Sequence, residues 1–170
     1  MKKFNAKHTL LGSMLLVILL VAIPFTAFAQ VQTASNVYSD IIAMQEEYPE
    51  GTPWDNSNFY EWKGGIYSGG YGCAGFAFML SDAVFGSLPA RKIDKVSYSS
   101  LRAGDILRVN NDSHSVIILK KQADHVVIAE GNFNSSVHWG RTLSKAEVLK
   151  NRDLNDLISG RGSLNILNSK

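Results

Sequence analysis

Cysteine is almost missing from this chain. One residue of 170, Cys73, carries a thiol. A single cysteine excludes an internal disulfide, and with only four scattered histidines beside it no zinc site can be assembled. There is no Gly-x-Ser-x-Gly elbow and no phosphate loop, so neither elbow-type serine hydrolysis nor P-loop chemistry is expected. Excess charge of one sign is also missing: 17 Lys and Arg stand against 15 Asp and Glu. The small positive surplus sits in Lys2, Lys3 and Lys7. Without those three lysines the balance is 14 against 15, which gives no basis for a nucleic-acid or anionic-membrane surface.

Long apolar runs are limited to one, Leu10 to Phe25, apolar apart from Gly12 and Ser13. The lysines before it and Ala27-Phe28-Ala29 after it form the three parts of a secretory signal. The competing reading is a membrane anchor. Pro24 interrupts the run, and the run is shorter than the roughly 20 residues a spanning helix needs. No cysteine is present there for lipid attachment, and Asn165 to Lys170 carries no sorting signal. The expectation is cleavage after Ala29, secretion with no stable membrane association, and a monomeric domain over residues 30–170. Its 141 residues are enough for one core.

Along that domain Val31 to Ser35 is polar, and Tyr38 to Tyr48 reads as a short amphipathic helix with Tyr38, Ile41, Ile42 and Met44 inward. Pro49-Glu50-Gly51 ends it. Trp54 to Tyr71 is rich in aromatics and glycines and reads as loop. Asp55-Asn56-Ser57-Asn58 lacks the ligand count of a calcium loop and reads as a turn. Cys73 to Phe85 is apolar on most faces, as in a buried helix, with Gly86 placed as its C-terminal cap. The period then changes to that of strands: Asp105 to Val109, His114 to Leu119, Val126 to Glu130 and Val137 to Thr142. Ser144-Lys145-Ala146-Glu147 is a capping box for a following helix, and Ile158 to Leu167 could return a last strand. Helices first and strands second make the fold class α+β.

An exported protein keeps a lone thiol either buried and inert or because it reacts. Glycines at 69, 70 and 72 lead straight into the apolar helix and set Cys73 at its N-terminus, where free backbone N–H groups favour thiolate. His114, Glu130 and Asn132 follow in the order base, then orienter. A hairpin with a three-residue loop at Lys121-Gln122-Ala123 pairs residues whose numbers sum to 244, facing Lys120 with Asp124 and His114 with Glu130. Asn132 then shares Glu130's face as the rival orienter. A one-residue slip would turn Glu130 away. The Cys73 N–H is the first oxyanion donor, with Gly70 and Gly72 allowing close approach of a substrate carbonyl. Tyr71, two residues from the sulfur, is a candidate substrate contact. Trp139 either touches substrate or packs beside the site. His125 falls one residue off the inward face of its strand and reads as exposed.

These segments carry a resemblance. Tyr71-Gly72-Cys73-Ala74-Gly75-Phe76 resembles the nucleophile motif of the NlpC/P60 family, with Gly72 where an aspartate is usual. Leu101 to Leu107 is similar to the Pro-Gly-Asp segment that opens that family's first core strand, with Ala103 replacing the proline. His114-Ser115-Val116-Ile117-Ile118 resembles the histidine strand of NlpC/P60 and of the related CHAP amidases. Val127 to Phe133, with Glu130 and then Asn132, resembles CHAP more closely, since NlpC/P60 members usually carry a histidine there. The similarity spans Gly70 to about Arg141. It implies a papain-like fold, amide-bond hydrolysis without a cofactor, and a substrate of peptidoglycan or peptide. Two other readings stand beside it. One is a non-catalytic secreted module that holds wall peptide or glycan; the other is a papain-like acyltransferase or protease with a non-wall substrate.

Overall fold

The computed structural model describes residues 33–92 and 97–150. The expected signal segment and the expected last strand lie outside them. Helix α1 covers Ala34–Ala43; it starts earlier than periodicity suggests because Thr33 caps it, its Oγ1 accepting the Asn36 N–H at 3.2 Å, and it ends earlier as well, with Met44 as C-cap. Val37 and Ile41 are its buried residues, with Tyr38, Ile42 and Met44 packed alongside.

The segment read as loop is more ordered than expected. Two three-residue strands, β1 (Phe59–Glu61) and β2 (Gly69–Tyr71), pair antiparallel with Phe59 opposite Tyr71. Strands this short, one of them largely glycine, show no alternation for a sequence reading to detect. Residues 51–54 run along the sheet: Gly51 N–H donates to Val137 O and Val137 N–H to Thr52 O, both at 2.9 Å. Asp55 forms the expected turn, its Oδ1 accepting from the Ser57 N–H and hydroxyl.

Helix α2 (Gly72–Phe85) follows β2 directly and is buried on nearly every face, ending at Gly86 in a positive-φ conformation. The side-chain space at Gly70 is taken by the helix, since a Cβ there would lie 2.8 Å from Phe78 Cε2 and 2.9 Å from Ala74 Cβ. Gly70 therefore serves helix packing rather than an open approach for substrate.

A 3-10 turn at Tyr98–Ser100 precedes a four-stranded antiparallel sheet in sequence order: β3 (Ile106–Val109), β4 (His114–Lys121), β5 (His125–Phe133) and β6 (Ser136–Ser144). One face (Ile106, Ile117, Leu119, Ala129, Val137) packs on α1 and α2. The other (Leu107, Val109, Val116, Ile118, Val126, Ile128, Leu143) is covered by Tyr98, Leu101 and Val148 of α3 (Lys145–Lys150). The capping box forms as expected, with Glu147 Oε2 accepting the Ser144 N–H and Ser144 Oγ accepting the Glu147 N–H. The described residues thus make a three-layer α+β unit. No helix among them is long and apolar enough to cross a membrane.

The β4–β5 register differs from the expected one. Ile117 faces Ala129 and Ile118 faces Ile128, a sum of 246; a bulge then sets Lys120 opposite Val127. The connection is Gln122 to Asp124, closed by Gln122 N–H to His125 O at 2.8 Å. A shift of two keeps every side chain on its original face, so the hydrophobic pattern cannot distinguish 244 from 246. Continued along the strands, this register sets Val116, not His114, opposite Glu130, and His114 becomes its diagonal neighbour.

Strand β6 carries a bulge of its own. Ile128 pairs with Arg141, but Ala129 pairs with Trp139, so Gly140 is the extra residue, at φ 84°. Without it Trp139 and Arg141 would share a face. With it, Trp139 goes with Ala129 to the α2 side and Arg141 goes with Ile128 to the other.

Candidate functional site

Cys73 is the second residue of α2, and the peptide before it is held on both sides. Gly72 N–H donates to Asn58 O at 2.9 Å, and Gly72 O accepts the Trp54 indole N–H at 2.8 Å. Gly72 has φ 53°, and a Cβ on it would lie 2.5 Å from Asn56 Oδ1 and 2.8 Å from Asn132 Nδ2. Those two amides are themselves joined, Asn132 Nδ2 donating to Asn56 Oδ1 at 2.7 Å. A left-handed, crowded position of this kind admits glycine and excludes the aspartate of the resembled motif. The first turn of α2 contains no acidic residue, and Tyr71 as N-cap makes no side-chain bond. The field of the helix end is therefore not offset beside the sulfur.

The β3–β4 turn brings the histidine. Asn110, Asn111 and Asp112 all have φ between 53° and 65°, a run tolerated because Asn and Asp enter the left-handed region more readily than other residues. Arg108 clamps it, with Nε on Asp112 Oδ1 at 2.7 Å and Nη1 on Ser115 Oγ at 2.6 Å. His114 starts β4 and is 8 % exposed. Its Nε2 is 2.7 Å from Glu130 Oε2, which leaves Nδ1 for the hydrogen bond with Cys73. His114 and Glu130 continue the rows Val116/Ile118 and Val126/Ile128 of the second sheet face, whose apolar character turns polar at the sheet's end.

Three charges shape the chemistry. Burial pushes the Cys73 thiol up, but hydrogen bonds from His114 and the Ser115 backbone, with the positive charges of His114 and Arg108, bring it down to about 7. Burial pushes His114 down, while its bonds to Cys73 and Glu130 raise it to about 9. Burial raises Glu130, whose side chain has no exposed surface, and bonds from Arg141 and His114 overcome that to hold it at about 2. The order of these values favours thiolate beside imidazolium at neutral pH.

Cys73, His114 and Glu130 are thus brought together. Asn132 is not on the imidazole; it reaches the turn before Cys73, at φ 59° of its own. Tyr71 is exposed, its ring 4.8 Å from that of Phe59, on the outer side of the β1–β2 pair. Trp139 packs edge-on to Phe76 at 5.8 Å and donates its indole N–H to Tyr48 O at 2.9 Å. His125 is partly exposed and bonded to Asp124 at 2.8 Å, away from the site as expected. A groove of about 280 Å³ opens beside α2, with Tyr67, Ala74, Arg108 and Ser115 on its walls. Among the described residues no group of three or more His, Cys, Asp or Glu could hold a metal.

Sequence reasoning missed Arg141, Arg108 and Asn56 as parts of this site. Arg141 forks onto Glu130, with Nη2 at 2.7 Å from Oε2 and Nε on Oε1. The usable signal was Gly140 inside a strand pattern, which marks a bulge and hence a change of face. Searches with this chain find no matching family model, no matching curated protein and no matching solved structure.

Proposed function

We propose that this chain is a secreted, papain-like cysteine hydrolase of the NlpC/P60–CHAP type, cutting amide bonds in peptidoglycan peptides. The observation that carries the reading is His114 set between Cys73 and Glu130, its Nε2 at 2.7 Å from Glu130 Oε2, with the thiol pulled down and the imidazole pushed up. An inert buried thiol has no reason to sit against a carboxylate-backed histidine at a helix N-terminus. A nucleophile helix packed on an antiparallel sheet supports the papain-like fold, and a glutamate followed two residues later by an asparagine supports the CHAP side of the resemblance. The wall-peptide substrate follows from that resemblance.

In the proposed reaction the Cys73 thiolate attacks the amide carbon and the carbonyl becomes an oxyanion. The Cys73 N–H, in the helix turn whose N–H groups lack intrahelical acceptors, donates to it. The C–N bond breaks as His114 gives its proton to the departing amine, leaving a thioester on Cys73. Neutral His114 then takes a proton from water as the water attacks the thioester. The acid departs and thiolate and imidazolium are restored. Glu130 holds the ring with Nε2–H directed at itself.

The test is iodoacetamide labelling of the folded protein across pH, joined to digestion of purified wall material by wild type and Cys73→Ser. The expected result is stoichiometric labelling with a limb near pH 7, together with new amines in the digest that Cys73→Ser does not produce. A thiol that labels only after denaturation, or a Cys73→Ser variant that still digests, would sink the reading.

A further inference from the structure

Glu130 is a fully buried carboxylate whose two oxygens are bonded from two sides. Oε1 accepts from Arg141 Nε, and Oε2 is shared between Arg141 Nη2 and His114 Nε2, each at 2.7 Å. Histidine alone would leave Oε1 without a donor and the carboxylate free to rotate about its last bond. The planar guanidinium fork removes that freedom and fixes which oxygen meets the ring. Arg141 is itself held, with Phe133 beneath its guanidinium at 5.1 Å, while Glu147 of α3 adds a second negative charge nearby. His138 lies opposite Glu130 on β6, but its ring is engaged by Glu50, Ser136 and the Phe133 carbonyl. Arg108 is the other cation near the sulfur.

From this geometry we infer that Arg141 is a positioning residue for the nucleophile, acting through Glu130 and His114. The inference rests on the hydrolase reading. The four groups alternate in charge: Arg141 positive, Glu130 negative, His114 positive, Cys73 negative. Withdrawing Arg141 leaves one negative charge too many in a buried chain. A proton must then be taken up by Glu130, which ends its hold on imidazolium, or by the thiolate itself. Either outcome lowers the thiolate fraction at neutral pH. A merely structural arginine would alter stability and leave the titration of Cys73 in place.

The experiment follows the rate of iodoacetamide alkylation against pH for wild type, Arg141→Gln, Arg141→Lys and Glu130→Gln, and for Arg141→Gln in the Glu130→Gln background. Circular dichroism checks the fold of each variant. Arg141→Gln is expected to move the limb about one pH unit towards alkaline, a roughly fivefold slower reaction at pH 7 that becomes roughly tenfold at lower pH. Arg141→Lys keeps the charge without the fork, so a smaller shift in the same direction is expected, and this variant decides the matter should the glutamine variant not fold. In the Glu130→Gln background the arginine change should add less than about twofold, since its path is already cut. A limb identical to wild type in the folded Arg141 variants, or an undiminished shift in the Glu130→Gln background, would overturn the inference while leaving a reactive wild-type thiol intact. An unreactive wild-type thiol would overturn the hydrolase reading itself.

Discussion

Gly72→Ala tests how tightly the turn before Cys73 is specified. The residue sits at φ 53°, where a Cβ meets the following carbonyl oxygen at a cost of roughly 1–2 kcal/mol. The new methyl would also lie 2.5 Å from Asn56 Oδ1 and 2.8 Å from Asn132 Nδ2, so the hydrogen bond between those amides must open, for about 1 kcal/mol more. Reduced freedom of the unfolded chain returns roughly 0.4–1 kcal/mol. The net is a loss of about 1–2.5 kcal/mol, or a fall in Tm of roughly 3–10 °C for a domain of this size. Gly51→Ala serves as the control: Gly51 has φ 81° but no atom within 4 Å of its would-be Cβ, so it carries the backbone cost without the clash. Thermal melts with parallel alkylation of Cys73 separate the two. Gly72→Ala should melt below Gly51→Ala and alkylate more slowly than wild type, whereas Gly51→Ala should alkylate normally. Equal melting temperatures with unchanged alkylation in both would refute the crowding argument.

Glu130→Gln leaves Arg141 and His114 facing a neutral amide and should cost about 3 kcal/mol at neutral pH. Glu130 is held at about 2 in the folded chain, so its contribution is complete above the unfolded carboxylate value and is lost as pH falls towards 2. The wild type should therefore lose stability over that acid range with a steeper slope than Glu130→Gln, and equal slopes would refute the pairing. The same variant should lower kcat and move the histidine-linked limb of the pH–rate profile towards acid; an unchanged profile beside a nearly dead Asn132→Ala would make Asn132 the orienter. Trp54→Phe keeps the ring contacts with Phe76 and Tyr48 but removes the indole bond to Gly72 O, so a loss of about 1 kcal/mol and slower alkylation are expected, and a wild-type melt would exclude that bond as a support of the turn.

Apart from the short β1–β2 pair, the sequence by itself determined the kinds of element, the inward rows of the strands and the chemical types at the candidate site, because helix and strand periods and the placement of turn residues are local properties. The apolar run after Cys73 reads as a buried helix and forms one. The alternation from His114 and from Val126 assigned His114 and Glu130 to one face whichever even register formed. Local pattern does not contain the choice between registers two residues apart, and the slide of the turn to Gln122–Asp124 together with the bulge between Ile118 and Lys120 made that choice. Nor does it contain the side on which Arg141 emerges, because a bulge at Gly140 reverses the alternation and only pairing with β5 reveals it. Asn132 shows the same limit. In sequence it is equivalent to Glu130 as a partner for the imidazole, yet a positive φ at Asn132 and the presence of Asn56 send its amide to the turn at Gly72. Each of these was decided by atoms distant in the chain and adjacent in space, where hydrogen-bond geometry selects among arrangements that the sequence pattern leaves equivalent.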